Sequence, residues 1–153
     1  MSELCLPFAM RQACLEDAAR LTELAGQLGY ETTLDEVTHR LKLLLEKPDQ
    51  TVYVAVLEDG FVVGWIHLYV YTTLVSEPQA MVGGLVTDAA YRGQGIGRCL
   101  MAQAEVWGRD QGCAALYLKS NIARKEAHAF YESLGYQKIK SQFAFRKELA
   151  SSH

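Results

Sequence analysis

The chain has no apolar run approaching the roughly 18 residues that a membrane-spanning helix requires. Its start, Met1-Ser2-Glu3, lacks the basic flank and long apolar stretch of a signal peptide, so the expected compartment is the cytoplasm. Positive charge is not in excess: 15 Lys and Arg stand against 18 Asp and Glu, and a formal net charge of −3 advertises no basic surface for nucleic acid or an anionic membrane. Cysteine is scarce, and Cys5, Cys14, Cys99 and Cys113 show neither C-x-x-C pairing nor a histidine spacing suited to zinc, so no metal site is expected. Cys99 and Cys113 fall among apolar residues and read as buried reduced thiols. No internal repeat, linker or low-complexity tract divides the chain, and 153 residues fit one domain, residues 1–153 with a core of about 8–147.

What is present is an ordinary globular composition, 50% hydrophobic and 22% charged, arranged in alternating helical and extended patterns. Residues 8–13 alternate weakly, as a first strand does. Leu15, Ala18, Leu21, Ala25 and Leu28 then follow helical spacing up to Gly29. Thr33 and Glu36 make a capping box for a second helix carrying Leu34, Val37, Leu41, Leu44 and Leu45, which Pro48 ends. Residues 51–57 and 61–71 are β-rich runs joined by Glu58-Asp59-Gly60, a hairpin signal. A polar loop with Pro78 leads to a strand over 80–87, a helix over about 97–111 and a fifth strand over 114–118. Residues 121–134 read as a loop and helix, and 136–139 and 142–145 as short closing strands. This predicts one α/β domain with a mixed, mainly antiparallel sheet.

The stretch from Gly84 to Trp107 carries the strongest chemical signal. An apolar strand ends in a polar link, passes Gly93, Gly95 and Gly97, and opens into an amphipathic helix. Glycines there let the backbone turn and approach a ligand, while the unpaired amides of the helix start point at it with the positive end of the helix dipole behind them. The amides of Gln94, Gly95, Gly97 and Arg98 are the expected phosphate cradle. The spacing is neither the G-x-G-x-x-G of a dinucleotide fold nor the Gly-Lys-Ser/Thr of a nucleoside triphosphate loop.

The order Arg92, Gly95, Gly97 after Leu85-Val86-Thr87 resembles the acyl-coenzyme A signature of the GNAT superfamily, the Gcn5-related N-acetyltransferases. A second landmark, Asn121 after the fifth strand and Tyr131 within the next helix, extends the resemblance over about residues 80–147. The resemblance implies the GNAT fold, a sheet of six to seven strands splayed at its centre and flanked by about four helices. It implies acetyl-coenzyme A as co-substrate, held by main-chain groups of Leu85, Val86 and Thr87 at the acyl carbonyl and pantetheine, and by Arg92, Gly93, Gln94, Gly95, Ile96, Gly97 and Arg98 at the pyrophosphate. Asn121 would bond the pantetheine arm, and Tyr131 would protonate the departing thiolate. A weaker likeness points to aminoglycoside and aminoalkylphosphonate acetyltransferases.

The expected activity is direct transfer of an acetyl group to a primary amine, most simply of a small molecule. A protein or peptide amine is the alternative within the class, and a non-catalytic acyl-coenzyme A sensing module the alternative outside it. Family members often carry a glutamate on the central strand as base, whereas Ala80-Met81-Val82-Gly83-Gly84-Leu85 has no carboxylate. Glu77 in the preceding loop is the first candidate in its place. His67, Tyr69, Tyr71, Glu31, His39 and a water chain are the others. The glycine pair 83–84 is expected to mark a bulge or a close backbone approach. An exposed edge among the closing strands would suit a homodimer.

Overall fold

The computed structural model describes residues 8–120 and 122–150. The chain divides into a first compact unit ending at Lys119 and a second beginning at Ser120.

The first unit is a sheet of five strands in the order β1 (Ala9–Gln12), β2 (Gln50–Val56), β3 (Val62–Tyr71), β4 (Gln79–Thr87) and β5 (Leu116–Tyr117). The first three pairings are antiparallel and β4 runs parallel to β5, so the mixed, mainly antiparallel sheet is found as expected. A parallel neighbour needs a long crossover. Here it is α3 (Ile96–Asp110).

Two helices precede the sheet's central strands. α1 (Ala18–Gln27) is entered through a 3-10 turn at Leu15–Asp17, and its buried stripe Ala18, Leu21, Leu24 and Ala25 keeps the helical spacing of the sequence. α2 (Leu34–Leu45) starts with the expected capping box: the Glu36 amide donates to Thr33 Oγ1 at 3.1 Å and the Thr33 amide to Glu36 Oε1 at 3.0 Å.

Each face of the sheet has its own cover. Side chains alternate along a strand. Val52, Val54 and Val56 of β2 and Val86 of β4 join Leu21, Leu24 and Leu41 in one core, with Trp65 packed against it, so this face meets α1 and α2. The other face meets α3, whose Ile96, Leu100, Met101 and Ala104 are fully buried. Gly64 sets the spacing there: a Cβ on it would lie 2.9 Å from Ile96 Cγ2, 3.0 Å from the Val86 carbonyl oxygen and 3.1 Å from Leu100 Cδ1. The first turn of α3 therefore rests directly on β3 backbone, beside the end of β4.

Two irregularities shape β4. The register slips between His67 and Leu68, because Gly84 pairs with His67 and Val82 with Leu68, leaving Gly83 as the extra residue of a bulge. The Gly83-Gly84 expectation is met. On its other side β4 pairs with β5 only at Ala80–Leu116 and Met81–Tyr117. From Val82 to Thr87 the edge of β4 toward β5 has no strand partner among the described residues, which is the splay the sequence resemblance implied.

In the second unit α4 (Lys125–Ser133) is the helix expected within 121–134. The closing strands are a correction. Among the described residues 136–150 form neither helix nor strand, and Ile139, Phe143, Phe145 and Leu149 are exposed, so the described sheet has five strands rather than six to seven. β propensity records how well a side chain suits a half-buried pleat, but a strand exists only where another strand meets its N–H and C=O groups. For the same reason the fifth strand shrinks to two residues, and among the described residues the closing segment supplies no strand edge.

Candidate active site

The glycine loop and α3 form as the sequence requires. Gly95 stands before the helix with φ of 89°, and Gly93 has φ of 81°; both are left-handed conformations that cost a residue bearing a Cβ. No side chain caps the helix at Gly95. The Cys99 amide donates to the Gly95 carbonyl at 3.0 Å, so the amides of Ile96, Gly97 and Arg98 precede the first helical bond and have no acceptor within the helix. Arg92, Gln94 and Arg98 are exposed around this opening. The Ile96 side chain, by contrast, is core, and only its amide faces the loop. The result is a positive, uncapped helix start in a stretch that carries the exposed Arg92 and Arg98, suited to a phosphate or pyrophosphate.

Leu85 and Thr87 are half-buried and Val86 is buried. They occupy the length of β4 that has no strand partner on the β5 side among the described residues, and alternation turns the main-chain groups of Leu85 and Thr87 to that side while Val86 pairs with Trp65 of β3. The structure thus brings Leu85–Thr87 and Arg92–Arg98 together in the first unit.

Sequence reasoning missed what holds that junction. Asp88, buried at the end of β4, takes a salt bridge from Arg20 of α1, accepts from Gln27 Nε2 at 3.3 Å, and caps the following turn by accepting from the Ala90 amide at 3.0 Å. Gln27 Oε1 in turn accepts from the Ala89 amide at 2.8 Å. Arg20 also donates from Nε to the Val62 carbonyl at 2.8 Å and lies 4.2 Å over the Phe61 ring. The entrance to the glycine loop is therefore tied to α1 and to the β2–β3 hairpin. Burial alone would raise the Asp88 carboxyl, but the Ala90 amide, Gln27 and Arg20 together hold it below the usual carboxylate range.

A depressed folded pKa contributes stability that is present above the unfolded value of about 3.9 and is lost as pH falls through the folded one. Asp88→Asn, which keeps an acceptor for Ala90 and removes the charge, is expected to lower stability by about 1–3 kcal/mol at pH 7. Urea titrations should show the gap closing as pH falls from the unfolded carboxylate value of about 3.9 through the lower folded one. A gap that persists unchanged in acid would mean that Asp88 acts through packing alone.

The second unit holds Tyr131. Half-buried on α4, its ring meets Phe130 edge-on at 5.2 Å and Tyr136 at 6.4 Å, and its carbonyl accepts from the Tyr136 amide at 3.1 Å. Asn121 lies outside the described residues. Of the candidate bases, Glu77, Tyr71, Glu31 and His39 are exposed, whereas His67 and Tyr69 are half-buried on β3. Cys99 is buried, Cys113 only half-buried, and no disulfide joins the described cysteines. Among the described residues, no three or more His, Cys, Asp or Glu side chains gather as metal ligands, and no helix is long and apolar enough to cross a membrane.

Residues 15–136 match the profile of the acetyltransferase (GNAT) family. The chain is 31% identical over 148 residues to aminoglycoside N(6′)-acetyltransferase type 1 of Stenotrophomonas maltophilia, covering 94% of this chain and 95% of that one. It is 34% identical over 146 residues to the aminoalkylphosphonate N-acetyltransferase of Salmonella typhimurium, covering 92% and 90%. Among solved structures it is similar in fold to AAC(6′)-Iy, solved in complex with the bisubstrate analog CoA-S-monomethyl-acetylneamine. The TM-score is 0.82 at 18% identity, over 93% of this chain and 99% of that one.

Proposed function

Since this chain belongs to the acetyltransferase (GNAT) family and is an N-acetyltransferase, we propose that it carries an acetyl group from acetyl-coenzyme A directly to a primary amine of a small molecule. The observation that carries the reading is the uncapped start of α3, with three open amides, set against the unpaired half of β4. A pyrophosphate fits the first and an amide-bearing arm the second.

The residues divide the work. Arg92, Gly93, Gln94, Gly95, Ile96, Gly97 and Arg98 bind pyrophosphate, chiefly through main-chain amides. Main-chain groups of Leu85, Val86 and Thr87 hold the pantetheine and polarise the acyl carbonyl, which draws charge onto oxygen as the amine attacks. Asn121 bonds the pantetheine arm. Tyr131 donates its hydroxyl proton to the thiolate as the C–S bond breaks, because an uncovered thiolate is a poor leaving group in a dry cleft. Residues 8–147 act as one catalytic domain. The small-molecule acceptor is supported by the relatives, two kinds of acetyltransferase named for small amines. The absence of disulfides among the described cysteines supports a reducing, cytoplasmic setting.

The test is a thermal-shift titration with acetyl-coenzyme A and free coenzyme A, followed by thiol release against aminoglycosides, aminoalkylphosphonates and peptide amines. At a hundredfold excess over Kd a ligand that binds only the native state adds about 2.7 kcal/mol, several degrees at this chain length. No shift at millimolar ligand overturns the cofactor reading. A shift without turnover of any amine would mark a sensing module.

A further inference from the structure

Resting on that reading, we propose that His67 is the general base of the reaction, standing in for the carboxylate that β4 lacks. Its position follows from the register. His67 pairs directly with Gly84, one residue from Leu85, and alternation along β3 puts it on the same face as Trp65, toward α1 and α2. The opposite face is closed, because Ile96, Leu100, Met101 and Ala104 of α3 are fully buried against it. An amine approaching a carbonyl held at Leu85 must therefore arrive on the face that carries His67.

That face has room. Gly83, the bulged residue, is exposed although it lies in the middle of a central strand. The imidazole leans into the space above it: a Cβ on Gly83 would overlap His67 Nδ1, and a Cβ on Gly84 would lie 3.0 Å from Trp65 Cζ3. Two glycines thus leave the strand bare under two rings. On the same face the indole N–H of Trp65 is buried with no acceptor among the described residues.

The ring is held for proton transfer. Nε2 lies 3.0 Å from Gln50 Oε1 of β2. With the carboxamide oxygen assigned to that side, Nε2 carries the hydrogen and donates it, and Nδ1 keeps its lone pair on the Gly83 side. The groups facing the ring are Gln50 from β2, Gly83 from β4 and, on its own strand, Tyr69 at 5.7 Å between ring centres, none of them charged as they stand. Burial lowers the imidazole pKa, so the base is unprotonated at neutral pH.

The step balances. The nitrogen lone pair of a neutral amine forms the C–N bond at the thioester carbon, and the carbonyl electrons move to oxygen. The nitrogen, now positive, loses a proton to Nδ1. The oxygen electrons return, the C–S bond breaks, and sulfur takes the Tyr131 proton. Solvent then removes one proton from His67 and returns one to Tyr131.

The experiment compares wild type, His67→Gln, Gln50→Leu and Glu77→Gln with acetyl-coenzyme A and whichever aminoglycoside or aminoalkylphosphonate the wild type turns over fastest. His67→Gln should keep the thermal shift with acetyl-coenzyme A and lose kcat on the order of 10²-fold. The acid-side inflection of the wild-type kcat profile, lying below the ordinary imidazole value of about 6.5, should vanish in it. Gln50→Leu should move that inflection without abolishing it. Turnover of His67→Gln within twofold of wild type across pH overturns the proposal, as does a comparable loss in Glu77→Gln instead. A wild type that binds no acetyl-coenzyme A fails earlier, in the shift itself, and marks the failure of the functional reading.

Discussion

Tyr131→Phe is expected to lower kcat by about 10² to 10⁴ while leaving acetyl-coenzyme A binding near wild type. The substitution removes one hydroxyl and nothing else. Phenylalanine keeps the ring that packs edge-on against Phe130 and Tyr136, and the carbonyl that receives the Tyr136 amide is main chain, so α4 and its neighbouring turn should persist. On the proposed role, what disappears is a proton for the thiolate at the moment the C–S bond breaks. Thiol release under saturating amine and acetyl-coenzyme A measures it directly. If kcat falls less than about threefold, smaller than the least effect expected of a general acid, the leaving group is served by solvent and Tyr131 is a packing residue.

Gly95→Asp should be the most damaging change to cofactor binding. It places a side chain on a residue with φ of 89° and sets a carboxylate against the open amides of Ile96, Gly97 and Arg98. α3 itself should survive, anchored by Ile96, Leu100, Met101 and Ala104. The new charge beside the open amides, however, would repel pyrophosphate. Losing two charge-assisted bonds at about 1.5–3 kcal/mol each corresponds to at least 10²-fold in Kd. Titration calorimetry with acetyl-coenzyme A should show this loss, with helical circular dichroism unchanged. Binding within tenfold of wild type would remove the helix start from the site.

Much of this was legible in the sequence because it is local. Arg92, Gly95 and Gly97 lie within one turn of chain, and strand, loop and helix follow one another without help from elsewhere. The bulge was legible as one of two readings, since a glycine pair inside a strand marks a bulge or a close backbone approach, and the β3–β4 register selects the first. The Asp88 brace was not, because Arg20 and Gln27 belong to an earlier helix whose polar residues look like any solvated face until α1 is laid beside the end of β4. His67 was one of several candidates. Only the β2–β3 register reveals its tether to Gln50, and only the bulge sets Gly83 beneath its ring. The closing strands failed for the opposite reason: residues 136–145 carry the right side chains for a strand, but pattern cannot supply a partner.

The short pairing of β4 with β5, over two residues and no more, has a consequence for what counts as the finished protein. A strand edge that no described residue matches from Val82 to Thr87 is ordinarily a hazard, inviting another chain to add itself. Here the proposed co-substrate brings an arm with its own amide donors and acceptors, so a small molecule takes the place of the missing strand. On that proposal the sheet is completed by the molecule it is about to cleave, and each turnover dismantles and rebuilds part of the sheet's hydrogen bonding.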